Sequence, residues 1–120
     1  MRMAPRWLVV GEMHRGGEIM ALFRAQMSDH PGLSTFHAQT PDHAVTRLSV
    51  ILGMDERVRA EDAKSAFAMA VDLVLQVGWR EGKRQILGVW EVDPELHGGS
   101  VRFRQLYQPG EEQLAEFTRR

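Results

Sequence analysis

The chain has 120 residues, of which 43% are hydrophobic and 26% charged, a mixture typical of one globular domain with a modest core. The formal net charge of −1 predicts no direct binding to nucleic acid, and the lack of cysteine excludes disulfides and thiolate metal sites. The most apolar segment, residues 68–77, contains Asp72 and Gln76 and is too short and too polar to span a bilayer. We therefore predict a cytoplasmic protein with a single domain over residues 1–120.

Two short strands in the first third of the chain are each followed by a polar residue. The apolar run at residues 6–10 leads to Glu12, and the run at 33–36 leads to His37. Residues 17–29, between them, carry apolar side chains at helical spacing and predict an amphipathic helix. If the two strands are parallel neighbours, Glu12 and His37 emerge at the same edge, which is where open parallel sheets bind ligands.

Two further helices are predicted, the first from residues that typically begin and end helices. Thr40 is a typical N-cap, Pro41 suits the first helical position, and Gly53 is predicted to end this helix. Residues 55–70 predict the next helix. Its expected packing face carries Ala63, Ala66, Phe67 and Ala70.

Residues 71–108 change to the alternating pattern of β-strands. A hairpin is predicted to turn at Glu81-Gly82, with Trp79 and Trp90 facing each other across it, followed by a third strand. Residues 109–120 are predicted to form a short helical tail. The fold class predicted by this order is α/β, with a parallel βαβ part, helices, and then a β-meander.

A carboxylate at the end of a buried strand can act as a general base or orient a water molecule, and a histidine beside it can hydrogen-bond a phosphate. Taken alone, Glu12 is better interpreted as a solvated carboxylate in a turn, and His37 as a ring that caps a backbone group. Their placement on adjacent strand ends favours a functional site. The histidines lack ligand spacing beside a carboxylate, so no metal site is predicted.

Four ordered segments carry a resemblance to a known family. The segment VVGEMHRGGE resembles the Walker B segment of the type II/type IV secretion ATPases, which include CpaF-like, Tad-pilus and conjugation motors. The segment DHPGLSTFHA looks like the histidine box of these proteins, and TPDHAVTRL and AVDLVLQVGWREGKRQILGVWEV are similar to the helix and hairpin that follow it. The resemblance covers residues 6–107 in the family's order. The matching positions of the histidine box are His30, Gly32, Thr35, His37 and Ala38.

This resemblance implies a partial RecA-like P-loop NTPase fold, the C-terminal part of a secretion ATPase domain. The Walker B and histidine-box region would occupy residues 6–38, the helices residues 40–70, the β-meander residues 71–108, and the tail residues 109–120.

The resemblance also implies ATP and Mg²⁺ as cofactors and a role for each matching residue. Glu12 would be the catalytic glutamate that polarises the attacking water, and His37 would contact the γ-phosphate. Thr35, His30 and Arg15 would bind nucleotide. The implied partners are a hexameric ring of identical subunits or a separate P-loop half, together with secretion or pilus platform proteins at the inner membrane, where the assembled protein would be peripheral.

The sequence departs from the family pattern in three places. It contains no Gly-x-x-x-x-Gly-Lys-Ser/Thr loop, His14 is inserted before Arg15, and Asp29 replaces a glycine before the histidine box. Because that loop holds the phosphates, we expect the chain alone to bind nucleotide weakly and to be inactive. It would be a truncated or split motor. The alternative is a non-catalytic remnant that acts as a subunit-interface module. A third interpretation, a small α/β domain with incidental matches, is disfavoured by the four ordered segments.

Overall fold

The computed structural model describes residues 8–12, 15–27, 32–110 and 115–118 of the chain. The helices and strands follow one another in the order β1 (Leu8–Glu12), α1 (Gly16–Met27), β2 (Gly32–Thr35), α2 (Pro41–Glu56), α3 (Ala60–Ala70), β3 (Leu73–Arg80), β4 (Lys83–Val92) and β5 (Phe103–Tyr107). β1 and β2 form a parallel pair, and the last three strands form an antiparallel sheet in the order β3-β4-β5. This architecture confirms the predicted mixture of helices and strands and the predicted meander.

β1 extends two residues beyond its predicted end. The prediction placed the strand at residues 6–10, of which 6 and 7 lie outside the described residues, and β1 is Leu8–Glu12, so Glu12 belongs to the strand and does not follow it. The register with β2 passes from Val10 to Glu12, which leaves Gly11 as an extra residue in the pairing. Such a bulge re-aims the end of a strand, and glycine suits it because it brings no side chain into the distorted ladder. The prediction missed this bulge and ended the strand too early.

The core lies between the helices and the antiparallel sheet. α1 buries Ile19 and Phe23 almost completely, as its helical spacing predicts. The Phe23 ring contacts Phe67 of α3 edge-on, with ring centroids 6.2 Å apart, and Phe67 makes a second edge contact of 6.2 Å with Phe103 of β5. These aromatic contacts, with Val92 fully buried beside them, join the helical and sheet parts into one core.

α2 begins where it was predicted to begin. Thr40 has an extended backbone, and its side-chain oxygen accepts a hydrogen bond of 3.1 Å from the backbone N–H of His43. This contact satisfies one of the N–H groups that a helix start leaves unpaired, and Pro41 at the first position has no N–H to satisfy. None of the helices in the described ranges is long and apolar enough to cross a membrane.

α2 does not end at Gly53, as was predicted, but continues through Glu56. Arg57 then adopts a left-handed conformation with φ of 56°, and its N–H donates to the carbonyl of Leu52. The third helix therefore starts at Ala60 and not at residue 55. A glycine inside a helix is unfavourable by only about 1 kcal/mol relative to alanine, which packing of the last turn can offset.

The hairpin of β3 and β4 turns where it was predicted to turn. Both turn residues, 81–82, have positive φ, 54° and 75°, which is the conformation of a type I′ turn. A two-residue turn fixes the register, so Trp79 lies opposite Arg84, and Trp90 lies opposite Val74. The predicted pairing of Trp79 with Trp90 is therefore wrong.

The hairpin exposes one apolar face. Alternate side chains of β3 lie on this face together with Ile86 of β4, which pairs with Val77 of β3. Their exposed fractions are 43% for Leu73, 54% for Leu75, 56% for Val77, 69% for Trp79 and 43% for Ile86. We call these five residues the apolar hairpin face. The alternating pattern predicted the strands but did not indicate that this side would be open.

Glu91 of β4 is a charged side chain that is only 4% exposed. Its Oε1 accepts a 2.9 Å hydrogen bond from Nε of Arg104 and forms an ion pair with Nη2 of Arg104 at 2.8 Å, and its Oε2 accepts a 2.7 Å hydrogen bond from the backbone N–H of Thr118. Residues 115–118 are not helical, which contradicts the predicted helical tail there, while residues 111–114 and 119–120 lie outside the described residues. The tail is held against β5 because Ala115 N–H donates to the Leu106 carbonyl over 2.8 Å.

The turn between β4 and β5 carries an exposed acid–histidine pair. Asp93 Oδ1 accepts a 3.0 Å hydrogen bond from the Glu95 backbone N–H, and His97 Nε2 lies 2.7 Å from Asp93 Oδ2. The bond from Glu95 first, and the His97 ring second, lower the pKa of Asp93 below its ordinary 3.8.

Candidate functional site

The two parallel strands end side by side. Glu12 is paired with Thr35 in the register of β1 and β2, and His37 follows two residues beyond Thr35. Thr35 and His37 are exposed, whereas Phe36 between them is half-buried and packs against the core. Glu12 and Thr35 thus lie at the carboxyl ends of the two parallel strands, with His37 in the segment that follows, and ligands bind beyond these ends in such sheets.

The segment that carries His37 into α2 is held by side chains from other elements. Arg47 of α2 donates a hydrogen bond from Nη1 to the His37 carbonyl, and its guanidinium carbon lies 4.9 Å from the centroid of the Phe36 ring. Gln76 of β3 donates from Nε2 to the Gln39 carbonyl over 2.5 Å. These contacts fix the backbone around His37 from both the helix and the antiparallel sheet.

The start of α1 is the second anchored segment of this region. Arg15 is the residue before the helix, and its carbonyl accepts the first helical bond, 3.1 Å from the N–H of Ile19. The backbone N–H of Arg15 donates to Glu18 Oε1 over 3.2 Å, the reciprocal contact of a capping box. The N–H of Gly16 donates to Asp55 Oδ2 of α2 over 2.8 Å.

The predicted site residues have different positions in the structure. Glu12 pairs with Thr35, His37 follows two residues after Thr35, and Arg15 lies exposed at the start of α1, three residues after β1. The predicted nucleotide-binding residue His30 lies outside the described residues, as do His14 and Asp29. In the described part of the chain, no three histidine or acidic side chains cluster closely enough to hold a metal ion.

Three side chains that position this region were not predicted as site residues. Arg47 falls within a segment that resembles the family, and Gln76 falls within another, but neither pattern indicated that they hold the strand-to-helix segment. Asp55 had no sequence signal, because the helix that carries it was predicted to end at Gly53. Contacts between residues 39 apart in the chain, such as Asp55 with Gly16, depend on how the helices pack.

The exposed polar groups after these strands have the chemistry to contact a phosphate. A hydroxyl and an imidazole stand exposed at the end of a parallel pair, next to the last residue of β1, a glutamate. Such groups can hydrogen-bond a phosphate and hold or move a proton of a water molecule. The sequence lacks the glycine-rich lysine loop that would surround the phosphates from the other side.

Comparisons with known proteins identify the fold and the family of the chain. A solved structure, the VirB11 ATPase from the Brucella suis type IV secretion system in complex with sulphate, superposes with a TM-score of 0.65 and 22% identity over 75% of this chain and 29% of that protein. At 22% identity this similarity shows that the two proteins share a fold. The uncharacterized protein MJ1287 of Methanocaldococcus jannaschii is 31% identical over 96 residues, which are 80% of this chain and 35% of the relative. The chain thus spans about a third of the length of each. The family model of type II/IV secretion system proteins matches residues 1–78, and the chain belongs to that family.

Proposed function

We propose that this chain is the C-terminal part of a RecA-like ATPase domain, from a motor that powers type II or type IV secretion, pilus assembly or conjugative transfer. In this proposal it contributes the Walker B glutamate and the histidine box but no P-loop. The observation that supports it most is the parallel pairing of β1 and β2, with Glu12 opposite Thr35 and His37 two residues further on. Family membership supports the same reading.

Each residue has a distinct proposed task. The carboxylate of Glu12 would orient and polarise the attacking water, and the imidazole of His37 would hydrogen-bond the terminal phosphate. The hydroxyl of Thr35 would support that contact, and Arg15 and His30 would bind the nucleotide. Arg47 supports this assignment, because its hydrogen bond to the His37 carbonyl and its packing on Phe36 restrict where the imidazole can lie.

ATP and Mg²⁺ would bind fully only when a P-loop is supplied from elsewhere. Phosphoryl transfer depends almost entirely on positioning and on neutralising the charge of the phosphates. The residues described here offer an edge with Thr35 and His37, but the chain has no loop of backbone N–H groups with a lysine. We therefore propose that the isolated chain binds ATP weakly and does not hydrolyse it at a measurable rate.

The experiment is a chimeric motor, in which this chain replaces the matching segment of the Brucella suis VirB11 ATPase. ATP hydrolysis is measured for the chimera and for its Glu12→Gln and His37→Ala variants. General acid–base and positioning roles of this kind are each worth about 100-fold or more in rate, so both variants should lose hydrolysis to at least that extent. Circular dichroism shows whether each variant retains the fold.

The matched control is His43→Ala. His43 is an exposed histidine in the first turn of α2, and only its backbone N–H takes part in the helix cap. This variant should hydrolyse ATP at the rate of the unmodified chimera. Hydrolysis that is unchanged in Glu12→Gln or His37→Ala would refute the role of that residue.

A second candidate function is a non-catalytic subunit-interface module of a motor ring. The apolar hairpin face favours it, because five apolar side chains that stay between 43% and 69% exposed are typical of a surface that contacts another protein. In this case Trp79→Lys and Leu75→Lys should abolish incorporation into a ring of full-length motor subunits, while Glu12→Gln should leave incorporation intact. Sedimentation velocity of mixtures with the full-length motor measures this.

The proposed setting is a cytoplasmic motor that is peripheral at the inner membrane when assembled. Its partners would be identical subunits in a hexameric ring or a separate P-loop half, together with secretion or pilus platform proteins. Co-sedimentation of the chain with inner-membrane vesicles that contain such a platform, compared with vesicles that lack it, tests this. Equal recovery from both kinds of vesicle would contradict the proposed platform contact.

A further inference from the structure

Asp55 makes a long-range contact at the start of α1. Its Oδ2 lies 2.8 Å from the backbone nitrogen of Gly16, whose N–H donates to it, and the contact is partly buried. The hydrogen bond joins the last turn of α2 to the first residue of α1, across 39 positions of sequence. A carboxylate is a strong acceptor for an unpaired N–H at a helix start, because the bond is charge-assisted and the helix dipole favours it.

Gly16 allows a very close approach between these two helices. A Cβ atom at this position would lie 2.7 Å from Cβ of Asp55 and 3.0 Å from Cγ of Glu56. Both distances are shorter than ordinary carbon contacts, so any side chain at position 16 would push the start of α1 away from α2. Gly16 is itself buried. The hydrogen bond and the close approach therefore fix the same point of the backbone.

This point lies next to the strand end that carries Glu12. Three residues, 13–15, connect the end of β1 to Gly16. On one side of that connection Glu12 is fixed by its pairing with Thr35, and on the other side Gly16 is fixed by Asp55. Since an extended chain advances at most about 3.6 Å per residue, Gly16 can lie no more than roughly 14 Å from Glu12, so fixing Gly16 restricts where the chain can run after β1.

We propose that Asp55 is a positioning residue for Glu12, acting through the start of α1. This inference rests on the proposed function, in which Glu12 orients the attacking water. Asp55 does not touch the reacting atoms in this scheme. Its carboxylate holds Gly16, and thereby sets where the backbone leaves β1 and how Glu12 is presented at the strand end.

The contact is tested first in the full 120-residue chain. Amide hydrogen exchange at Gly16, followed by NMR, should be slow in the unmodified chain and at least tenfold faster in Asp55→Ala, because the acceptor is lost and tenfold corresponds to about 1.4 kcal/mol of protection. Asp55→Asn keeps an acceptor oxygen and should restore most of the protection. Glu56→Ala, on the same helical turn, is the matched control and should leave the exchange unchanged. Equal exchange in Asp55→Ala and Glu56→Ala would overturn the contact.

The positioning role is then tested in the chimeric motor. Asp55→Ala should lower kcat by about tenfold to 100-fold with KM for ATP unchanged, since a displacement of about 1 Å can cost 100-fold in rate. Asp55→Asn should recover most of that loss, and Glu56→Ala should hydrolyse ATP normally. Gly16→Ala should reproduce the loss although Asp55 is intact, which keeps the test decisive if Asp55→Ala fails to fold.

The outcomes separate this inference from the proposed function. If Glu12→Gln abolishes hydrolysis while Asp55→Ala and Gly16→Ala both retain normal kcat, the positioning role is wrong and the proposed function stands. If Glu12→Gln leaves hydrolysis unchanged, the proposed function and the inference both fail. A loss in Asp55→Ala that Asp55→Asn rescues, with KM unchanged, supports the inference.

Discussion

Substitution of Arg104 by alanine should destabilise the chain by removing a positive charge from beside a buried carboxylate. Glu91 is only 4% exposed, and the guanidinium of Arg104 reaches its Oε1 from two nitrogens, at 2.9 Å and 2.8 Å. Thr118 adds further contacts, with its backbone N–H 2.7 Å from Oε2 and its hydroxyl 3.0 Å from Oε1. Removal of the arginine takes away a positive charge beside Glu91, together with the hydrogen bond that Arg104 donates to the Glu116 carbonyl.

The expected loss of stability depends on how exposed Glu91 and Arg104 are. Removing one partner of a fully buried ion pair costs about 3–5 kcal/mol. The side chain of Arg104 is 47% exposed, so solvent already screens the pair, and water can reach the space that the arginine leaves. We therefore expect a loss of about 2 kcal/mol in the free energy of unfolding for Arg104→Ala, which corresponds to roughly 8 °C in Tm for a domain of this size.

Urea and thermal unfolding, monitored by circular dichroism, measure this loss. Arg102→Ala is the matched control, because Arg102 is an exposed arginine two positions away, and it should change stability by less than about 0.5 kcal/mol. Thr118→Ala should cost about 1 kcal/mol, since the hydroxyl contact is lost while the backbone contact remains. Equal stability of Arg104→Ala and Arg102→Ala would show that the contact between Arg104 and Glu91 does not stabilise the fold.

Three further predictions concern the sheet, a helix end and a turn. Gly88→Ala should reduce the free energy of unfolding by about 1–3 kcal/mol, because a Cβ there would overlap the indole ring of Trp90. An unchanged midpoint of urea unfolding would show that the indole moves away without cost. Arg57→Gly should stabilise by about 1 kcal/mol, since glycine adopts φ of 56° without strain, and a lower Tm would contradict this. Because its pKa is lowered in the fold, Asp93 should favour folding above pH 3.8, and this contribution should be lost as the pH falls below 3.8. In His97→Gln the pKa of Asp93, followed by NMR, should rise towards 3.8, and a pKa that does not move would exclude the imidazole as a cause.

Local signals in the sequence predicted those parts of the fold that neighbouring residues determine. The Thr40-Pro41 start of α2 and the Glu81-Gly82 turn were both confirmed, since each depends on the conformations of a few adjacent residues. The predicted packing face of α3 was also confirmed, with Ala63 and Phe67 buried. These features follow from capping, turn chemistry and helical periodicity alone.

Features that depend on distant contacts could not be predicted from these signals. Gly53 was expected to end α2, but the helix continues, and its last turn packs against Gly16 of α1. Glu91 has the pattern of any strand residue, and its burial depends on Arg104 and Thr118, which lie 13 and 27 positions further along the chain. No local rule shows which partners will cover a given side chain.

The sequence predicted where the two strands of the candidate site end. It did not predict the residues that keep these strand ends in place. The apolar runs before Glu12 and His37 indicated two neighbouring parallel strands, and the pairing of Glu12 with Thr35 agrees with that expectation. The Gly11 bulge was not predicted, although a glycine inside a strand often marks such a bulge. Asp55 was missed because its contact with α1 requires the packing of two helices.

We propose that Glu12 and His37 lie together at one edge of the parallel pair. Adjacent strands are about 4.8 Å apart and each residue advances about 3.3 Å, so the two Cα atoms should lie within roughly 10 Å of each other. The chain has no cysteine, and nitroxide labels can therefore be placed only at Glu12→Cys and His37→Cys. We expect strong dipolar broadening of the EPR spectrum of the doubly labelled chain compared with the sum of the two singly labelled chains. A doubly labelled spectrum identical to that sum would show that positions 12 and 37 are far apart, and the proposed site would be wrong.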